Sequence, residues 1–407
     1  MVFCSFCAFP KNSVNLENLV IPLMSSLLSI IRCRNPWLIK YAVAAWLLFS
    51  PTLQADPPSP PEPWQRAIGA WPWAFPRDHG AHPNFKTEWW YFTGNLQDEQ
   101  DRRFGYQLTL FRQGIQFTPA QPTSRWAVRD LYFGHFTISD IDADKFHVAE
   151  RVSRGALGEA KAGTDRMDVA LGPWTIQQDA KEQMHLVARE ADMQIDFAEH
   201  PLKPLILEGD GGLSRKADGV GEASYYYSYP RLETSGRLRV GEKNYAVSGL
   251  SWFDHEFSTS SLGQDQVGWD WFCLQLENNE EIMLYAMRDK SGAMDPVSEG
   301  TWVKVDGTSE RLLPGSFSIE KKGTWQSPHS GAGYPAGWHI VVPGHRADLT
   351  VTPAMADQEL HLTKMGALDY WEGACSIAGS VGGAQTKGVG YTELTGYVGA
   401  LQIGMKE

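Results

Sequence analysis

Along most of this chain apolar and polar positions alternate with a period of two, and helical spacing is scarce. The stretch Ser248–Leu276 packs aromatic and acidic residues into two strand-like runs, the first of them Gly249-Leu-Ser-Trp-Phe-Asp-His-Glu256. If Leu250–Phe257 is extended, Trp252, Asp254 and Glu256 share one face, and Ser251, Phe253 and His255 share the other. Further strands are predicted at Glu88–Leu96 and Phe104–Arg112, a hairpin around the charged turn Gln97–Arg103. Others follow at Leu131–Ser139, Lys145–Val152, Arg166–Leu171, Met184–Arg189, Met193–Ala198, Glu222–Tyr229 and Gly236–Val240. The second half offers Gly268–Leu276, Gly300–Val305, Gly337–Val342, Asp348–Thr352, Glu359–Leu362, Tyr370–Ser380 and Gly388–Gly399. One short helix is expected within Ala120–Asp130.

The two halves share a pattern. Glu88-Trp-Trp-Tyr-Phe-Thr-Gly-Asn-Leu96 aligns without gaps to Gly268-Trp-Asp-Trp-Phe-Cys-Leu-Gln-Leu276, with Trp89 on Trp269, Phe92 on Phe272 and Tyr91 opposite Trp271. Each run leads through a polar turn to a strand that ends in arginine, at Arg112 and at Arg288. This supports an internal duplication. Strands 8–15 residues apart, twice over, predict an all-β chain of two antiparallel barrels. Small closed barrels commonly enclose one apolar ligand. The expected organisation is a leader at 1–55, a proline-rich linker at 56–71, and barrels at 72–245 and 246–407.

Arg32, Arg34 and Lys40 precede an apolar run, Tyr41–Phe49, that ends near Ala55 before the prolines of DPPSPPEP. That is the layout of a secretory signal peptide, and it predicts a periplasmic or secreted protein. An uncleaved membrane anchor is the alternative. Loss of the leader removes four basic and one acidic residue and moves the net charge from −12 to −15. Such a surface repels phosphate backbones, so no nucleic-acid partner is expected. Cys273 and Cys375 remain, either bridged or as two buried thiols, and no C-x-x-C pair survives outside the leader.

A serine hydrolase elbow is missing: no G-x-S-x-G occurs, and Gly249-Leu-Ser251 lacks the second glycine. Nor is there a phosphate loop or dinucleotide fingerprint, and Gly209-Asp-Gly-Gly212 reads as a turn. Asp78, His79, His82 and Glu88 include metal-ligand types. Loop histidines more often lock a barrel entrance, and neither a metal nor a cofactor is expected. The richer signal is acids among aromatic rings. A carboxylate there must be paired, hydrogen-bonded or protonated. Asp254, Glu256 and Asp270 are the candidate acid–base residues; the plainer alternative is a solvated face or acids that tie down a loop. Trp90, Tyr225, Tyr227, Trp252, His255, Trp269 and Trp271 are candidates to line a pocket for an elongated apolar ligand. A carboxylic acid of raised pKa among such rings suits protonation of a carbon–carbon double bond followed by water addition.

Asp78-His-Gly-Ala-His-Pro83, Glu88–Leu96, Gly249–Glu256, Gly268-Trp-Asp-Trp-Phe272 and Tyr391-Thr-Glu-Leu-Thr-Gly-Tyr397 resemble the AttH-like family over roughly residues 72–400. That family also holds carotenoid 1,2-hydratases and proteins labelled "predicted secreted hydrolase". The resemblance implies two lipocalin-like (calycin) barrels. It also implies an exported protein that binds, and in one reading modifies, a lipophilic isoprenoid- or lipid-like molecule near a membrane transporter. In the hydratase branch an aspartate proposed as catalytic matches Asp254. A His and a Trp two apart stand upstream there, where this chain has approximately Tyr225 and Tyr227. The two function readings that remain are a cofactor-independent hydratase or hydrolase with Asp254 as general acid, and a carrier in which the same residues only orient the ligand.

Overall fold

The computed structural model describes residues 64–118, 124, 127–260, 262–364 and 368–399. The leader and the prolines up to residue 63 lie outside the described residues, as does most of the expected helix, whose end at Asp130 instead opens a strand. The first half forms β1 (Thr87–Asp98), β2 (Arg103–Gly114), β3 (Asp130–Asp140), β4 (Lys145–Arg154) and the short β5 to β8 (Ala160–Ala162, Asp168–Leu171, Trp174–Gln178, Met184–Arg189). It continues with β9 (Met193–Pro201), β10 and β11 (Ile206–Leu207, Leu213–Arg215), β12 (Ala223–Val240) and β13 (Lys243–Ser258). The second half forms β14 (Gln266–Leu276), β15 (Glu281–Asp289), β16 (Glu299–Val303), β17 (Ser309–Leu312) and the short β18 to β20 (Ser318–Lys321, Thr324–Gln326, Gly333–Pro335). Then come β21 (Trp338–Val342), β22 (Ala347–Pro353), β23 (Glu359–Leu362), β24 (Leu368–Val381) and β25 (Ala384–Leu394).

All pairings are antiparallel. The first sheet runs β4-β3-β2-β1-β13-β12-β9-β8-β7-β6-β5, and β6 returns against β2, β3 and β4, so the sheet curls into a nearly closed barrel. The second runs β17-β16-β15-β14-β25-β24-β22-β21-β18. Superposed, these orders place β1 on β14, β2 on β15, β13 on β25 and β12 on β24. The aligned aromatic runs therefore occupy equivalent places in two sheets. The division between the halves differs from the expected boundary at 245/246. Lys243–Ser258 runs through it, paired between β1 and β12, and the second sheet begins at Gln266. The last strand of a barrel must return beside its first, and that hydrogen-bonding demand keeps Lys243–Ser258 with the first sheet.

The alternation along each strand separates three apolar cores. Trp90, Phe92 and Phe253 point into the first barrel, and Phe272, Leu274 and Trp371 into the second. Tyr91, Tyr226, Trp252, Trp271 and Tyr391 fill a seam where the outer faces of the two sheets meet. Polar bonds pin this seam: Asn95 donates to the Gly390 carbonyl (3.0 Å), and Gln275 to the carbonyls of Pro230 and Ser251 (2.9 Å each). Within each sheet, neighbouring strands also pass close enough to require glycine. A Cβ on Gly249 would lie 2.1 Å from the Asn95 carbonyl oxygen, and one on Gly388 2.4 Å from that of Gln275. These two glycines occupy matching places in β13 and β25.

The two cysteines are free and buried, on different faces: Cys273 looks into the seam beside Thr93, while Cys375 lies in the second core near Thr392. Burial pushes the Cys375 thiol up to about 12 and Cys273 well above its ordinary value. Since the thiolate is the reactive form, neither should react with a maleimide at neutral pH until the protein unfolds. Both should then react without reductant. Recovery of a disulfide-linked peptide between them would contradict this placement.

Candidate functional site

Two cross-strand rows face each other across the seam. On the first sheet Asp254 of β13 is paired with Ser228 of β12 on one side and Tyr91 of β1 on the other, so the three share a face. On the second, Glu393 of β25 is paired with Glu372 of β24 and Trp271 of β14. The Tyr91 and Trp271 rings meet edge to face at 5.2 Å, and Trp252 lies 6.3 Å from Trp271. Aromatic rings and carboxyl groups thus alternate in a space closed to bulk water.

Asp254 is 4% exposed and accepts three hydrogen bonds: from Ser228 Oγ (2.5 Å) and Trp252 Nε1 (2.6 Å) on Oδ1, and from Tyr226 Oη (2.7 Å) on Oδ2. Burial pushes its pKa up to about 7, against the pull of those donors. Trp271 Nε1 donates to Tyr226 Oη (3.2 Å), which fixes the phenol that reads the carboxylate. Ser228 Oγ also lies 3.0 Å from Glu208 Oε1. Glu208 is fully buried, bonded to Thr301 across the seam, and pushed by burial up to about 8. It follows β10 and sits before Gly209, whose φ of +68° makes the turn; a Cβ there would meet the Leu213 carbonyl oxygen at 2.4 Å.

The second sheet adds two more acids. Glu393 accepts from Trp269 Nε1 (2.8 Å), and burial raises it to about 7. Glu372 is raised well above the ordinary range by burial and by neighbouring Glu393. The hydroxyls of Tyr91 and Tyr370 lie against Glu372 and oppose that rise. Glu256 also faces the seam, with Lys216 Nζ at 3.0 Å.

The profile of the AttH-like family matches residues 66–397, more than half of the chain. The chain belongs to the AttH-like family. Among solved structures, a Nitrosomonas europaea protein assigned as an AttH is 31% identical, with a TM-score of 0.73 over 82% of this chain and 99% of that one. Kievitone hydratase from Nectria haematococca shares the fold at 16% identity, with a TM-score of 0.61 over 82% of this chain and 97% of the other. The dehydratase asqC of Emericella nidulans is 22% identical over 281 residues, 66% of this chain and 77% of that protein.

In this AttH-like chain the site residues expected from sequence are divided by strand parity. Asp254, Glu256, Trp252, Trp269 and Trp271 all reach the seam. Tyr225 and Tyr227 do not: β12 pairs Ser228 with Asp254 and Tyr226 with Glu256, so Tyr226 and Ser228 are the partners of the acid. Tyr225 packs instead against Trp71 and Phe257, and Tyr227 points into the first barrel with His255 and Trp90. Asp270 is one residue out of step with Trp269 and Trp271. It turns into the second barrel and is held by Arg288 (2.8 Å), Lys321 (3.1 Å) and Tyr397 (3.0 Å). That makes it a structural ion-pair partner, spatially apart from Asp254.

Asp78 and His82 of the entrance loop and Glu88 of β1 form a network with His255 and Arg112. His82 spans Glu88 (2.8 Å) and Asp78 (3.2 Å), His255 Nε2 reaches Glu88 (3.0 Å), and Arg112 Nε reaches its other oxygen (3.0 Å). His82, Glu88 and His255 are a donor set of metal-ligand type. Here each of their contacts to Glu88 is at hydrogen-bond length, and a guanidinium occupies the second carboxylate oxygen. The arrangement fits a barrel-entrance lock better than a cation site.

Sequence reading did not single out Glu208, Glu372, Glu393, Tyr226 or Ser228. A signal for Glu393 was present. Tyr91 aligns with Trp271, and Asp254 and Glu393 are the residues paired to them. Gly249-Leu-Ser-Trp-Phe-Asp254 and Gly388-Val-Gly-Tyr-Thr-Glu393 are thus the two copies of one strand.

Proposed function

We propose that this protein adds water to, or removes it from, a lipophilic substrate bound in the seam, with Asp254 as the proton donor and acceptor. The observation that carries this reading is the buried Asp254 carboxyl group, poised near neutrality by burial and set against indole and phenol rings. In the hydration direction, protonated Asp254 gives its proton to one alkene carbon. The cation that forms on the other carbon lies among the faces of Trp252, Trp271 and Tyr91. Water adds to it and loses a proton to Glu393, the duplicate of Asp254. Elimination is the same sequence reversed. The proton that Glu393 gains equals the one Asp254 gave, and its return to Asp254 closes the cycle; the Ser228 hydroxyl bridges Asp254 to Glu208, a second buried acid in the same network. The names of a dehydratase and a hydratase among the relatives support water as the group transferred. Export through the leader would place this chemistry in the periplasm or outside the cell.

The test is incubation of the full chain with a lipophilic extract of its host in deuterium oxide, followed by mass spectrometry. Compounds that gain or lose one water, with one carbon-bound deuterium in the hydration direction, should appear with the wild type and not with Asp254→Asn. Ligand retained unchanged by both proteins would instead establish a carrier.

A further inference from the structure

On the other face of β13 the structure carries a second arrangement that the seam chemistry does not use. His79 ends a single 3₁₀ turn, Arg77–His79, at the mouth of the first barrel. It borders a cavity of about 750 Å³ that is also lined by Phe75, Tyr229, Arg166 and Gln178. Its Nδ1 lies 2.6 Å from Tyr227 Oη, which lies 3.1 Å from His255 Nδ1. His255 Nε2 is 3.0 Å from Glu88 Oε1, and Glu88 is anchored by Arg112 and by the His82 amide (2.9 and 3.0 Å). No described residue bonds to His79 Nε2.

The direction of every hydrogen in this line follows from its far end. Burial alone would raise Glu88, but Arg112 and the two imidazoles hold it well below the ordinary range, so it only accepts. His255 Nε2 must then carry a hydrogen. Burial keeps His255 neutral, so its Nδ1 is bare and accepts from the Tyr227 hydroxyl. The Tyr227 oxygen in turn accepts from His79 Nδ1–H. A neutral imidazole with hydrogen on Nδ1 presents a lone pair at Nε2. Burial also lowers His79 to about 3, which leaves that lone pair free at any mild pH.

We propose that the mouth of the first barrel is a second ligand site, in which His79 Nε2 accepts the hydroxyl hydrogen of a small phenolic ligand. The ring class follows from the walls: Phe75 lies 4.7 Å and Tyr229 5.9 Å from the His79 ring, centroid to centroid. The relay fixes the acceptor: Tyr227 holds the hydrogen on His79 Nδ1, so the phenol keeps its proton and donates it as a hydrogen bond to Nε2.

The probe is 4-nitrophenol, whose phenolate absorbs in the visible, added to the full chain at a pH where the free probe is neutral. Bound probe should stay neutral, with its absorption band shifted by the hydrogen bond it donates. His79→Phe keeps the ring and removes the acceptor, and should weaken binding about tenfold, the order of one hydrogen bond. Tyr227→Phe removes the acceptor that holds hydrogen on His79 Nδ1 and should weaken binding by a smaller factor than His79→Phe, with the band shift reduced. One measurement needs no variant: diethyl pyrocarbonate should modify His79 of the wild type at mildly acidic pH, and 4-nitrophenol should protect it. No binding, equal binding by His79→Phe, or modification unaffected by the probe would each overturn the proposal. Loss of binding in Asp254→Asn alone would place the phenol in the seam instead, and overturn it equally.

Discussion

Asp254→Asn is expected to reduce turnover by roughly 100- to 10,000-fold, the usual worth of a positioned acid–base group, and to make the protein more stable at alkaline pH. The two effects share one cause. In the unfolded chain Asp254 ionises with its ordinary pKa of 3.8, whereas in the fold burial delays ionisation to about 7. Between these values the folded state holds a proton that the unfolded state has lost. Stability from this group is therefore complete below pH 4 and declines as the pH rises through 7. Three units correspond to about 4 kcal/mol. Asn carries no ionisable proton and keeps acceptance from Ser228 and Trp252 through its amide oxygen. The variant-minus-wild-type difference in unfolding free energy should thus grow by about that amount between pH 4 and pH 8. The difference is the informative quantity, because Glu208, Glu393 and Glu199 lose stability over the same range. His79 and His135, both lowered to about 3, act in the opposite sense as the pH falls below 6.5. A flat difference would mean that Asp254 is ionised throughout, and would remove it as a proton donor at neutral pH.

How far the sequence led can be judged at β12 and β13. In Leu250–Phe257 every residue is on the face expected of it, because a strand with one face in a barrel core cannot slip by one residue without burying the wrong set. In Tyr225-Tyr-Tyr227 three like side chains follow one another, so the run has no internal parity. Its facing is set by the partner strand, through Tyr226 opposite Glu256, and by the irregularity between Tyr229 and Leu232 that accommodates Pro230. Neither constraint is local. Asp270 is the reverse case: its parity relative to Trp269 and Trp271 is legible and puts it on the opposite face, but the partners that hold an acid there are not local. Arg288, Lys321 and Tyr397 are what make the inward position tolerable, and two of them are distant in sequence.

Glu208 was hidden for another reason. It stands between the short apolar run Leu205-Ile-Leu207 and a turn of glycines, where a lone glutamate reads as a solvated turn residue. Only the packing of one barrel's turn against Thr301 on the other barrel encloses it. Glu393 is the instructive contrast. Once the two sheet orders are superposed, the residue opposite Trp271 must repeat the role of the residue opposite Tyr91. The duplication, followed from the aligned strands to their hydrogen-bonded neighbours, carries site information that no single strand contains.

The same duplication gives the second large effect. In each barrel the arginine that closes the second hairpin strand reaches back to an inward acid on the first: Arg112 to Glu88, and Arg288 to Asp270. Arg112 is 1% exposed and holds four partners: Glu88 (3.0 Å), Asp130 (2.9 Å) and the carbonyls of His82 (3.0 Å) and Phe85 (2.8 Å). It thereby ties the entrance loop to β1 and β3. Arg112→Met preserves much of the volume and removes the charge. Glu88 then faces His82 and His255 with its largest stabilising charge gone, and two carbonyls lose their donors. Breaking a buried pair in this way costs about 3–5 kcal/mol, because the remaining charge cannot return to water. The double variant Arg112→Met/Glu88→Gln should recover part of that loss, since it leaves no unpaired carboxylate behind. If Arg112→Met costs less than about 1 kcal/mol in denaturant unfolding, within the range of an exposed ion pair, then this network does not lock the barrel entrance. The His255–Tyr227–His79 line would then lack the fixed carboxylate from which its hydrogens are ordered.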